Sequence, residues 1–102
     1  MNRAVSGTVV VLETGQPLRG LIVTVSRLCS GGADLLGWAV TGDGGRFRME
    51  YPRLCAPPDL TISLFRPDGH LLYLEPPHRS IAGAELQVRV EVPLACLRPI
   101  VH

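Results

Sequence analysis

Apolar and polar residues alternate along much of this chain. From Leu86 to Val92, Leu86, Val88, Val90 and Val92 are separated by Gln87, Arg89 and Glu91. A period of two marks a strand with one buried and one wet face. Leu60, Ile62 and Leu64 against Thr61 and Ser63 repeat it, as do Phe47 and Met49 against Arg46, Arg48 and Glu50. Leu21, Val23 and Val25 are expected to point inward, with Thr24 and Ser26 outward. No window sustains the i, i+3, i+4, i+7 spacing of an amphipathic helix. Strands are predicted over 4–12, 20–28, 35–41, 45–51, 59–66, 70–74 and 84–92. Short strands divided by turn residues predict an all-β fold with little or no helix, a seven-stranded Greek-key β-sandwich. The inward sets, joined by Val5, Val9, Trp38 and Val40, form the predicted core.

The breaks between strands carry turn chemistry. Asp43-Gly44-Gly45 supplies residues that accept positive φ, as a tight hairpin between the third and fourth strands would need. Pro67-Asp68-Gly69 does the same between the fifth and sixth. Pro17 and Gly20 shape the loop after the first strand, and Gly7 is grouped with them as a structural turn residue. The segments 51–58 and 75–80 are rich in proline, which lacks the ladder donor, so both are expected as surface crossovers outside the sheets.

Composition narrows the classes. The chain has 102 residues and is expected to be one domain, with its core in 4–92 and an apolar tail over 93–102. A net charge of +1 gives no field to gather nucleic acid or anionic lipid. All ten basic residues are arginine, which points to a GC-rich, bacterial genome. Cys29, Cys55 and Cys96 show no metal-ligand spacing. They read as small buried hydrophobes in a reducing compartment, or as one disulfide plus a leftover thiol. No stretch approaches the ~18 apolar residues of a membrane span, and the first residues lack a secretory pattern. The expectation is therefore synthesis in the cytoplasm, with delivery outside as part of an assembly an open alternative.

Val5-Ser6-Gly7-Thr8-Val9, then Gly15-Gln16-Pro17-Leu18-Arg19-Gly20, then Leu21–Val25 and Thr41-Gly42-Asp43-Gly44-Gly45-Arg46-Phe47 form an ordered series. Together they resemble the carboxypeptidase regulatory-like domain, a small transthyretin-like (prealbumin-like) sandwich. Leu60–Leu64 followed by Pro67-Asp68-Gly69-His70 is similar to its later strand and turn, with His70 in place of the usual aromatic. The resemblance covers roughly residues 4–92 and implies a non-catalytic module. It departs from the hydroxyisourate-hydrolysing branch, which uses an N-terminal His and a C-terminal Tyr-Arg-Gly-Ser. Here the first His is His70 and the chain ends Arg98-Pro99-Ile100-Val101-His102.

Candidate chemistry is sparse. His70, His78 and His102 have no ligand-like neighbours, and no nucleophile elbow or phosphate loop occurs. Catalytic, cofactor and metal residues are thus expected to be none. Arg46, Arg48 and Arg89 fall on outward strand faces; they read as a solvated surface with Glu50 and Glu91, or as a shallow anion- or carbohydrate-facing patch. Apolar material exceeds what half-exposed strands need in Leu35–Trp38, Leu71–Leu74 and Leu94–Val101. Two readings stand side by side: these residues close the ends of the sandwich, or they form a docking surface. For docking, the candidate residues are Trp38, Leu72, Tyr73, Leu97 and Ile100. The expected occupant is a protein partner or a second copy, with carbohydrate as the alternative.

Overall fold

The computed structural model describes residues 2–29, 31–52, 59–76, 78–79 and 85–97. Eight strands run in chain order: β1 (Asn2–Val11), β2 (Ile22–Cys29), β3 (Gly32–Val40), β4 (Arg46–Pro52), β5 (Asp59–Phe65), β6 (Leu71–Leu74), β7 (His78–Arg79) and β8 (Leu86–Val92). One short helix, α1 (Leu94–Leu97), follows. The strands form two packed sheets, a small one ordered β4-β1-β8 and a large one ordered β3-β2-β5-β6, with β7 beside β5. This is the expected all-β sandwich. The seven predicted strands are all present, and β7 is a two-residue addition.

The chain changes sheet after β1, β3, β4 and β7, so neighbours in sequence often lie on opposite layers. In the small sheet β1 pairs antiparallel with β4 and parallel with β8. In the large sheet every pairing is antiparallel. The core between the layers is made by Val5 and Val9, Val23 and Val25, Phe47, Met49 and Tyr51, Leu60, Ile62 and Leu64, and Val90 and Val92. Alternation in β4, β5 and β8 therefore reads correctly onto the buried face.

Four expectations change. First, Asp43-Gly44-Gly45 does not close a hairpin: β3 belongs to the large sheet and β4 to the small one. The three residues are a 3₁₀ turn at the corner between layers. Gly44 and Gly45 still need positive φ (73° and 71°), and a Cβ on Gly45 would lie 2.4 Å from the Val9 carbonyl oxygen.

Second, Gly7 is no turn residue but sits within β1. A Cβ there would lie 2.1 Å from the Val88 carbonyl oxygen, so glycine lets β1 approach β8. Pro17 and Gly20 do lie in the loop after β1. Pro17 makes an isolated bridge to Val10, and Gly20 takes φ 81°.

Third, Trp38 and Val40 are not core: they are 63% and 51% exposed. β3 is bulged at Leu36, between the pairs Val25↔Gly37 and Ser26↔Leu35. It turns Gly37 and Ala39 inward, and a Cβ on Gly37 would meet the Met49 Cε at 2.6 Å. Met49 thus takes the space that a side chain at 37 would need.

Fourth, both proline-rich stretches reach into the sheets: Tyr51 and Pro52 end β4, opposite Arg3 and Asn2, with 53–58 outside the described residues, and His78–Arg79 pairs with Asp59 and Leu60. β7 runs along the same edge of β5 as β6, past Pro76, and an edge is where a sheet tolerates proline.

Pro67-Asp68-Gly69 does join the antiparallel pair β5 and β6, with Gly69 at φ 96°. The Asp68 carboxylate accepts the His70 backbone N–H at 3.0 Å.

Candidate functional site

The two sheets present outer faces of opposite character. On the small sheet, the residues cross-strand from one another are Arg48, Ser6 and Gln87, then Arg46, Thr8 and Arg89. Arg48 Nη1 pairs with Glu50 at 3.1 Å and its Nε with Glu85 at 3.1 Å. Ser6 Oγ donates to the other oxygen of Glu85 at 3.1 Å. The Arg48 and Ser6 donors hold the Glu85 carboxyl below its ordinary range, and the two carboxylates raise the Arg48 guanidinium. Arg46 and Arg89 flank Thr8 on separate strands. An open cleft of ≈ 660 Å³ is lined by Ser6, Thr8, Arg46, Arg48 and Gln87 of this face together with Val40, Gly42, Phe47 and Val88.

The large sheet differs. Antiparallel partners share a face, so its outward rows can be read from the register. One row runs Val40, Ile22, Phe65 and Leu71. The next runs Trp38, Thr24, Ser63 and Leu74, and a third runs Leu35, Ser26 and Thr61. No ionisable side chain stands in these three rows; the exposed Asp59, two residues before Thr61 on β5, faces the same way beyond them. Leu35, Trp38, Leu71 and Leu74 are each more than half exposed. Singly exposed apolar residues are ordinary on a protein surface; a contiguous, uncharged set is not.

The docking candidates divide between the two readings. Trp38 lies on this outer face. Leu72, Tyr73 and Leu97 are half-buried and pack on the core from the open side of β6. Tyr73 opposes the buried Leu64, and burial, with Glu75 nearby, pushes its phenol up. The tail folds back as far as α1: the Leu94 N–H is held by Glu13 at 3.0 Å, and Arg66 donates to the Leu97 carbonyl at 3.5 Å. Ile100 lies outside the described residues, as do Cys55 and His102. Cys96 is a free, half-buried thiol.

The residues missed from sequence are Ile22, Phe65 and Val40, which join the apolar runs around Leu35, Trp38, Leu71 and Leu74 through cross-strand register. Their signal is faint. Phe65 and Leu71 flank the Pro67–Gly69 turn, and an apolar residue on each arm at that distance pairs across a hairpin.

No protein-family model matches the sequence, and no curated protein matches it. Similarity in structure is clearer. The chain superposes on part of a 9R-lipoxygenase from Cyanothece PCC8801 with a TM-score of 0.71 at 19% identity, covering 90% of this chain and 16% of that one. An alternative pilotin from the type II secretion system of Vibrio cholerae matches with a TM-score of 0.57 at 15% identity, covering 91% and 96%. BcpA, the major pilin subunit of Bacillus cereus, matches at 0.51 and 12%, covering 91% and 29%. The chain thus spans about a sixth of the lipoxygenase and nearly all of the pilotin in length. At these identities the likeness is one of fold.

Proposed function

We propose that this chain is a non-catalytic, transthyretin-like binding module of the carboxypeptidase regulatory-like kind that docks on protein through the outer face of its large sheet. One observation carries the reading: the rows from Val40 to Leu71 and from Trp38 to Leu74 are apolar or uncharged across the whole sheet. Burying such a face is favourable by roughly 25 cal/mol per Å² of apolar surface before association costs are met. Trp38 is the natural anchor, since tryptophan is enriched among residues that dominate interface energetics. The fold it shares with a secretion-system pilotin and a pilin supports a place in a bacterial multiprotein assembly, as an adaptor or spike-associated component.

The test is site-specific photo-crosslinking in cells, with the probe at position 38 or 74 of the large sheet and at position 89 of the small one. Protein adducts are expected at 38 and 74 and not at 89. Adducts at 89 alone, or at none of the three, reject the reading. A second reading, carbohydrate binding, draws on the same exposed Trp38 ring. A glycan array that reports binding lost in Trp38→Ala would favour it.

A further inference from the structure

We infer that the occupant of the large sheet's outer face is a second copy of this chain, the two faces stacking across a two-fold axis. The inference rests on the docking reading and names its partner. Its first ground is charge. A two-fold contact sets each residue of the patch against residues of the same patch, so any net charge would repel itself. Ile22, Thr24, Ser26, Leu35, Trp38 and Val40 on β2 and β3 carry none, nor do Thr61, Ser63, Phe65, Leu71 and Leu74 on β5 and β6. A foreign partner is commonly selected by complementary charge, and these three rows offer nothing of that kind to read; the exposed Asp59 on the same face of β5 stands beyond them, at the end of the strand. The small sheet, with Arg46, Arg48, Glu50, Arg89 and Glu91 outward, could not pair with itself so simply.

The second ground is size. Three strands of about six residues and the four-residue β6, ~4.8 Å apart at ~3.3 Å per residue, give a footprint of roughly 350 Å². Side chains roughen that to on the order of 500 Å² per copy, so a pair buries about 1,000 Å², the size of a weak or transient interface. Packed sheets ~10 Å apart are already how this molecule builds its own core, and the outer faces would repeat that geometry. An interface of this size without charges forms a dimer that dissociates on dilution and tightens in sulfate.

Light scattering on the purified full chain, over a hundredfold range of concentration, tests this. The expected result is a shift from the 11.0 kDa chain toward twice that mass as concentration rises. Trp38→Lys with Leu74→Lys should abolish the shift while leaving the circular dichroism spectrum intact. Ser6→Lys on the small sheet should leave it unchanged. A chain that stays at monomer mass throughout overturns the inference. So does a dimer that survives the double substitution, or one lost in Ser6→Lys. The docking reading fails separately: a monomeric chain whose position-38 probe captures a foreign protein keeps docking and removes the dimer. A chain with neither dimer nor adduct removes both.

Discussion

Arg48 and Trp38 are both outward-facing strand residues, one on each layer of the same sandwich. Arg48 is met by Glu50 and Glu85, each at 3.1 Å, so its charge is answered within the chain. Trp38 stands opposite the uncharged Thr24, and 63% of it is exposed. The small sheet therefore finishes its own surface, whereas the large sheet leaves apolar area that water meets unfavourably. A sandwich needs its inner faces to fold. The outer faces are free to differ, and in this molecule they differ in charge: Arg46, Arg48 and Arg89 stand on one, and the Trp38 and Val40 rows of the other carry none.

The comparison holds only while both layers are fixed to each other, so the harshest way to break it is at the corner between them. Gly45 combines φ 71° with a space closed by the Val9 carbonyl at 2.4 Å and the Leu18 amide at 3.1 Å. Gly45→Ala adds left-handed strain of about 1–2 kcal/mol to a clash with rigid backbone. Overpacking of that kind costs about 1–3 kcal/mol, so a total near 3 kcal/mol is expected. A drop in Tm of well over 10 °C should follow in a chain this size, at about 4–8 °C per kcal/mol. A melt within 2–3 °C of wild type, roughly half a kcal/mol, would show that the corner can yield.

Thr41, buried beside that corner, gives the next effect. Its hydroxyl accepts the Leu21 N–H at 3.0 Å, while its own N–H and carbonyl bond Leu21 and Gly20 at 2.9 Å. Thr41→Val keeps the shape and leaves the Leu21 amide without its acceptor, at a cost of about 1–3 kcal/mol. Urea unfolding of the variant should show a lower midpoint with an unchanged slope. Thr41→Ser, which restores the hydroxyl, should recover most of the loss. If serine is no better than valine, the hydrogen bond is not the cause.

How much of this was legible in the sequence depends on whether a residue's role was set within its own strand or by pairing. Met49, Ile62 and Val90 were readable because alternation alone decides which face they occupy. Trp38 was not. Size argued for the core, but the Leu36 bulge and the bulk of Met49 against Gly37 turn β3 the other way. Gly7 was readable as a constraint and misread as a turn, since only the parallel partner Val88 shows what its missing Cβ avoids. The corner at Asp43–Gly45 carries the residues of a hairpin, and nothing local says that the next strand joins the other layer. The apolar face suffers most from this limit. Its members come from four strands; Leu35 and Val40 share β3 with Trp38, and the rest join it only through register.

A milder probe sharpens the contrast between the faces. Trp38→Lys should change monomer stability by no more than about 0.5 kcal/mol, as expected for an exposed site. Its aggregation onset on heating should nonetheless rise, because an exposed apolar site has been given a charge. Arg89→Leu on the small sheet should do the reverse, adding apolar area to a face that had none to spare. Static light scattering during a thermal ramp separates the two. Equal onset temperatures for both variants would mean that the faces do not differ in the way their residues imply.

The smallest effect isolates the self-sufficiency of the small sheet. Glu85 is held in its charged form by Arg48 first and Ser6 second, so its folded pKa lies below the unfolded one. A depressed carboxylate contributes stability that is present above the unfolded value of about 4.3 and is lost as pH falls through the folded value. Glu85→Gln removes that contribution at every pH. The two melting temperatures should therefore differ slightly at pH 7 and converge as the pH falls below the ordinary carboxylate range. Salt should narrow the gap at neutral pH as well, because the pair is exposed and screened. Trp38→Gln on the large sheet removes no titrating group, so its offset from wild type should stay constant across the same range. If the Glu85→Gln curve also ran parallel to wild type, the Arg48–Glu85–Ser6 contacts would carry no weight in solution, and the small sheet's outer face would be no more settled than the large one's.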